Sequence, residues 1–170
     1  LFVKPTGSGS SYGISKVYKK DELDKAIEFA FSEGEQIILE SFLEGRELTC
    51  AVFRDQEALR ALPITEIISE NDFFDYDAKY NGKSKEQTPA QIDEMTANTI
   101  RTLSKEIYEV LGLKSIARID FILVGTTPNV IEVNTIPGFS EASIVPQMLN
   151  IAGIDLKDFW KKVLEQELNS

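Results

Sequence analysis

Two segments near the carboxyl end carry the side chains best suited to chemistry. In IARIDFIL (residues 116–123) Arg118 and Asp120 alternate with Ile119 and Phe121, and in VIEVN (residues 130–134) Glu132 and Asn134 alternate with Ile131 and Val133. A period of two places each polar pair on one face of a strand. If the intervening GTTP closes a four-residue hairpin, the numbers of opposed residues sum to about 252. Asp120 then stands against Glu132 and Arg118 against Asn134, with paired Cβ atoms roughly 5 Å apart. Carboxylates that close repel, which raises one pKa or calls for a cation between them. Asp, Glu and Asn offer oxygen ligands; the chain has no histidine and its one cysteine, Cys50, is remote in sequence. That donor set favours Mg²⁺ or Mn²⁺ over zinc. Magnesium takes few protein ligands and completes its shell with water and phosphate oxygens, so the metal implies a nucleotide. A surface Asp/Glu/Arg salt-bridge face would use the same residues. The hairpin alone leaves both readings open.

Directly after Asn134 comes TIPGFSEAS, where Pro137-Gly138 forces a turn. Glycine leaves its N–H open to a ligand and to developing negative charge. At the other end, Lys4 precedes GSGSSYG, whose N–H and hydroxyl groups can cover phosphates as a flap, although a flexible turn needs the same residues. The spacing is not GxxxxGK[ST] and no helix follows directly, so the Walker and Rossmann patterns both fail.

The elements that must position these residues read as follows. Residues 1–5 and 14–18 are strands. From Asp21, Leu23, Ala26, Ile27, Ala30 and Phe31 recur at helical spacing, and Gly34 follows. Residues 36–42 return to strand, Glu44-Gly45 turns the chain, and Leu48, Cys50 and Val52 lead a longer strand that 59–64 pairs with. Residues 69–87 mix charge, aromatics and turn formers without a period, which predicts a long functional loop, a lid. Thr88-Pro89-Ala90-Gln91 fits a capping box, with Ile92, Met95, Thr99, Leu103, Ile107 and Val110 as the apolar face of the longest helix. The tail from Val145 predicts one short and one amphipathic helix. A lobe boundary is expected near residues 43–46, giving 1–44 and 45–170.

The chain has 170 residues, 42% hydrophobic and 27% charged, enough for a sizeable core. Its 18 basic and 28 acidic side chains give a net charge of -10, which disfavours nonspecific hold on nucleic acid or an anionic membrane. No apolar stretch is of membrane-spanning length, and the single cysteine fits a reducing compartment, so the expected location is cytoplasmic. Leu1 opens directly into a strand, and the chain is expected to be a piece of something longer.

Taken together, VKPTGSGSSYGISKV, ILESFLEGRELT, FDYDAKY, ARIDFIL and IEVNTIPGFSEASIVP resemble, in order and spacing, the ATP-grasp half of the D-alanine–D-alanine ligase family over nearly the whole chain. The resemblance implies an α+β ATP-grasp fold of largely antiparallel sheets flanked by helices. Residues 1–44 would be a truncated central lobe with the Gly/Ser flap, and residues 45–170 the C-terminal lobe with the metal site. It implies formation of D-alanyl-D-alanine for peptidoglycan: ATP phosphorylates one D-alanine carboxylate and the amine of a second attacks the acyl phosphate. By resemblance Asp120, Glu132 and Asn134 hold two magnesium ions, and Arg118 with the Gly138 N–H stabilises the transferring phosphoryl group and the oxyanion. Lys4 and Lys79 would contact phosphates. Glu40 with the backbone of Ser41, Phe42 and Leu43 would be the adenine hinge, and Glu47 the ribose ligand, although Glu40 and Glu47 also fit solvated strand positions. Ser10 and Tyr80 would meet over the substrates, and Ser143 would bind the second D-alanine carboxylate, unless Tyr80 only packs its loop and Ser143 only caps a helix. Family members carry an N-terminal lobe and a further part of the central lobe that this chain lacks. The isolated chain is therefore expected to be inactive, with an exposed sheet edge that can pair with a second copy. Two other readings remain at this stage: a different ATP-grasp carboxylate–amine ligase, and a non-catalytic nucleotide-binding or structural module.

Overall fold

The computed structural model describes residues 1–7, 12–55, 58–69 and 84–168. Contacts divide the chain into two compact units, one containing Leu1–Glu44 and the other Gly45–Ile68 with Lys85–Ser170.

The first unit is a three-stranded antiparallel sheet backed by one helix. Strands β1 (Phe2–Pro5), β2 (Ser15–Lys16) and β3 (Ile37–Glu40) run in the order β2-β1-β3. A 3₁₀ turn at Lys20–Glu22 leads into α1 (Leu23–Ser32). Apolar residues at helical spacing turn one face of α1 to the sheet, so that Ala26 and Ala30 close on Val3 and Val17 with Leu23, Ile27 and Ile37 around them.

The second unit is built on β4 (Arg46–Arg54) and β8 (Ile116–Val124), antiparallel along eight residue pairs. The sheet order is β7-β6-β4-β8-β9, with β5 (Leu59–Ala61) also on β4; β6 is Thr65–Ser69, β7 Ser84–Gln87 and β9 Thr127–Asn134. Leu48, Cys50 and Val52 of β4 and Ala117, Ile119, Phe121 and Leu123 of β8 share one face and pack on Ala97, Ile100 and Tyr108 of α2 (Glu94–Val110). Burial of this apolar face is the main force holding α2 on the sheet, at roughly 25 cal/mol per Å² removed from water. On the opposite face, Phe53 of β4 meets the buried Phe159 of α4 (Leu156–Leu168) edge-on at 5.1 Å. The short α3 (Ile144–Ile151) precedes α4.

Three expectations need correction. The long helix does not start at Pro89 under a Thr88 cap. The Thr88 hydroxyl pairs with that of Thr65 at 2.6 Å and the Ala90 N–H bonds the Ile64 carbonyl, which ties residues 88–90 to β6. The first free cap is Asp93, whose carboxylate accepts from the Thr96 N–H and hydroxyl. The buried face of that helix is only partly the one expected: Ile92 ahead of it and Leu103 and Ile107 on it pack against the core as read, but the fully buried positions are others. Ala97, Ile100, Ser104 and Tyr108 face the sheet, whereas Met95 is 76% and Val110 84% exposed. Small residues at 97 and 104 let the helix approach the strands, and the Ser104 hydroxyl is satisfied by the Ile100 carbonyl at 2.7 Å. Finally, residues 84–87 are strand rather than loop, and residues 65–69 form a strand that sequence periodicity did not reveal. The remainder of the expected lid, residues 70–83, lies outside the described residues.

Candidate functional site

The β8–β9 hairpin closes through a two-residue turn, Gly125-Thr126, rather than the expected four residues. Gly125 takes φ 60°, which L side chains rarely adopt, and Thr127 and Pro128 already belong to β9. From the turn the ladder runs Val124↔Thr127 to Phe121↔Val130. It then shifts by one residue at a bulge, so that Asp120 opposes Glu132 and Arg118 opposes Asn134. Ile131 is the extra residue. The opposed pairs are the ones that the spacing predicts, although the turn is tighter.

The four polar side chains form one network. Arg118 grips Asp120 through both oxygens, Nε to Oδ1 at 2.9 Å and Nη2 to Oδ2 at 2.8 Å. Asn134 Nδ2 donates to Asp120 Oδ2 at 2.9 Å and to Glu132 Oε1 at 3.4 Å. Asp120 is only 6% exposed, and a carboxylate buried that deeply needs such partners. Arg118 answers in kind: burial works against its charge, but the hydrogen bonds and charge of Asp120, with the charges of Glu132 and Glu47, hold its pKa above the ordinary guanidinium value. Glu47, opposite Ile122 on β4, lies on this same face.

A fifth member was not identified from the sequence. Thr49, fully buried and directly opposite Asp120 on β4, donates its hydroxyl to Asp120 Oδ1 at 2.5 Å. The strand alternation carried the signal, since Glu47, Thr49 and Ala51 share a face, but the β4–β8 register was needed to bring Thr49 to Asp120. The expected wet face is therefore a partly buried polar seam.

Among the described residues, no group of three or more His, Cys, Asp or Glu side chains suited to a metal ion is found. What stands on the hairpin is two carboxylates and an amide, all oxygen donors, which fits a hard divalent cation that fills its shell from phosphate and water. In the structure Asn134 directs its amide nitrogen at the carboxylates; as a ligand it would turn its oxygen to the ion.

Downstream, Gly138 and Ser143 are brought together: a Cβ at position 138 would stand 3.1 Å from Ser143 Oγ. A side chain at 138 would therefore press on the Ser143 hydroxyl, which would have to give by a few tenths of an ångström. Ser143 occupies the N-cap position of α3, but its side chain does not cap. Its hydroxyl instead accepts from the Ser140 N–H at 3.0 Å and pairs with the Ser140 hydroxyl at 2.8 Å.

In the first unit, Lys4 of β1 and Glu40 of β3 form an ion pair at 2.7 Å. Two residues expected at different parts of a nucleotide thus hold one another, and both would have to exchange this contact for ligand. Ser41 and Phe42 are exposed and Leu43 half-buried. The ring of Phe42 lies under Lys16 Nζ at 4.1 Å and 6.0 Å from Phe2. Ser10, Lys79 and Tyr80 lie outside the described residues.

Comparison with known proteins identifies the relatives of this chain. The family model described as D-ala D-ala ligase C-terminus matches residues 1–165. The chain is 42% identical to the D-alanine–D-alanine ligase of Phocaeicola vulgatus and 47% identical to that of Flavobacterium johnsoniae, over 98% of this chain and 52% of each relative. Among solved structures it is similar to the VanG D-Ala:D-Ser ligase of Enterococcus faecalis (TM-score 0.84, 35% identity, 96% of this chain and 48% of that one). It is also similar to the Bacillus anthracis D-alanine–D-alanine ligase complexed with ATP (TM-score 0.82, 28% identity, 99% and 52%). The chain spans about half the length of the relatives that it matches.

Proposed function

The chain belongs to the D-Ala–D-Ala ligase C-terminal family, and on that premise we propose that it is the ATP-binding catalytic portion of a cytoplasmic D-alanine–D-alanine ligase, which forms an acyl phosphate from ATP and one D-alanine and joins it to a second for peptidoglycan. The observation that carries the reading is the convergence of Arg118, Asp120, Glu132 and Asn134 on one hairpin face, four residues before the Gly138 turn.

Asp120, Glu132 and Asn134 would hold two Mg²⁺ ions. Bound magnesium would supply Lewis-acid polarisation and charge neutralisation around the ATP phosphates. Thr49 and Arg118 keep the Asp120 carboxylate in one orientation, and Arg118 carries a permanent positive charge to the transferring phosphoryl group. The Gly138 N–H would donate to the oxyanion of the tetrahedral intermediate, and the Ser143 hydroxyl to the second D-alanine carboxylate. Lys4 and Lys79 would take phosphate oxygens, Glu40 with the Ser41–Leu43 backbone the adenine, and Glu47 the ribose. Closure of Ser10 and Tyr80 over the site would keep water from the acyl phosphate. The implied partners are ATP, D-alanine, an N-terminal lobe of the same polypeptide and, through β3, an edge strand among the described residues, a second copy.

Calorimetry with a nonhydrolysable ATP analogue tests the reading. Binding is expected to require Mg²⁺ and to be lost in Asp120→Ala and Glu132→Ala, while the isolated chain forms no dipeptide. Nucleotide binding indifferent to metal and to both substitutions would overturn the ligase assignment.

A further inference from the structure

The segment from Thr135 to Ser143 leaves β9 and enters α3 without joining any strand, yet it carries two donor groups that must stand at fixed points. Pro137 is buried, the Ser143 N–H bonds the Ser140 carbonyl, and Gln147 Nε2 donates to the Ala142 carbonyl, but the anchor that reaches another element of the core is one ring. Phe139 stacks on Phe159 of α4, with centroids 5.6 Å apart and planes at 16°, and lies 4.6 Å from Trp160. Phe159 is fully buried and meets Phe53 of β4 edge-on, and Phe53 opposes Ile116 at the start of β8, the strand of Arg118 and Asp120. A continuous line of packed rings therefore runs from the site strand, through α4, to the turn. Gly138 and Ser140, on either side of Phe139, are exposed while its ring points inward. The Ser140 N–H in turn holds the Ser143 hydroxyl.

We propose that Phe139 is a positioning residue: clamped by Phe159 and Trp160, it fixes the Gly138 N–H and the Ser140–Ser143 hydroxyl pair against the hairpin, which makes α4 part of the substrate-binding apparatus. This rests on the assignment of Gly138 and Ser143 to substrate contacts. Such rings prefer offset or tilted contacts with centroids 4.5–7 Å apart, so loss of one ring frees the chain that carries it. The clamp also lies beside the chain's single tryptophan, which makes its state readable without any ligand.

Hydrogen exchange on the 170-residue chain, with Trp160 emission as a second signal, tests the proposal. In Phe139→Ala the amides of residues 138–143 are expected to exchange about tenfold faster while those of Ile119 and Phe121 keep their protection. Trp160 emission should shift to the red, and the affinity for Mn²⁺ with the ATP analogue should stay unchanged. Phe139→Tyr should restore both signals, and Phe139→Leu gives the milder reading if the alanine variant does not fold. Unchanged exchange at 138–143, or equal acceleration on β8, would overturn the positioning role. Failure of the parent chain to bind metal and nucleotide, with the localised exchange effect intact, would instead overturn the ligase reading and leave the clamp standing.

Discussion

Thr49 Oγ1 and Asp120 Oδ1 lie 2.5 Å apart across the β4–β8 ladder, both nearly inaccessible to water. The hydroxyl has one hydrogen and gives it to the carboxylate, so it favours one orientation of Asp120 on the side away from Asn134. A buried acceptor that loses a donor costs about 1–3 kcal/mol. Thr49→Val, which keeps the shape, is expected to lower unfolding stability in urea by about that amount and to weaken metal-linked nucleotide binding, whereas Thr49→Ser retains both. Equal binding in the valine variant would remove Thr49 from the site.

Gly138 and Ser143 are coupled by space. A Cβ at position 138 meets Ser143 Oγ at 3.1 Å, closer than most real contacts. Gly138→Ala should therefore leave melting nearly unchanged but displace the Ser143 hydroxyl, and in Gly138→Ala/Ser143→Ala the added methyl should be accommodated. A double-mutant cycle on stability measures the coupling, expected at about 0.5 kcal/mol or more for residues in contact.

Burial in the α2-facing core pushes the Cys50 thiol up to about 11, so it stays protonated at neutral pH. A thiol-specific reagent at neutral pH is expected to modify the native chain about a hundredfold more slowly than the urea-unfolded chain, because reaction waits on opening of the β4 core. Fast stoichiometric modification of the folded chain would contradict the packing.

Hydrogen bonds from the Thr96 side chain and backbone hold the Asp93 carboxyl below its usual 3.8. A depressed folded-state value means that the cap's contribution is complete above 3.8 and is lost as pH falls through the lower folded value. Asp93→Ser keeps a capping oxygen that cannot titrate. The Tm difference between parent and variant should therefore be constant above about pH 5 and move in favour of the serine variant towards about pH 2. A pH-independent difference would show that the carboxylate does not cap.

Much of this chain was legible from local signals. The alternation in IARIDFIL and VIEVN gave the strand faces, the helical recurrence of Leu23, Ala26, Ile27, Ala30 and Phe31 gave α1, although Phe31 is exposed, and Glu44-Gly45 marked the turn into β4. The start of the long helix was misread because Thr88 fits a cap locally, whereas the Thr65 hydroxyl and the Ile64 carbonyl hold Thr88 and Ala90 and leave the role to Asp93. Its buried face was only half read: Leu103 and Ile107 do pack on the core, but Met95 and Val110 are exposed although apolar, and close approach to the sheet selects the smaller Ala97 and Ser104. Thr49 and Phe139 escaped notice because each matters through a partner about 70 or 20 residues away in sequence, a distance over which periodicity says nothing.

The amino-acid order by itself determined which side chains can act and that each pair shares a strand face, because alternation is a property of the extended backbone. It did not determine that the two pairs meet. With the tight Gly125-Thr126 turn and an unbroken ladder, Asp120 would oppose Ile131, and Glu132 would lie on the face of Ile119, against the core. The bulge at Ile131 moves Glu132 and Asn134 over by one residue, onto the face of Arg118 and Asp120. That shift is decided by the tertiary structure, since a one-residue change in register costs little locally but exchanges every side chain between the polar seam and the packed face against α2.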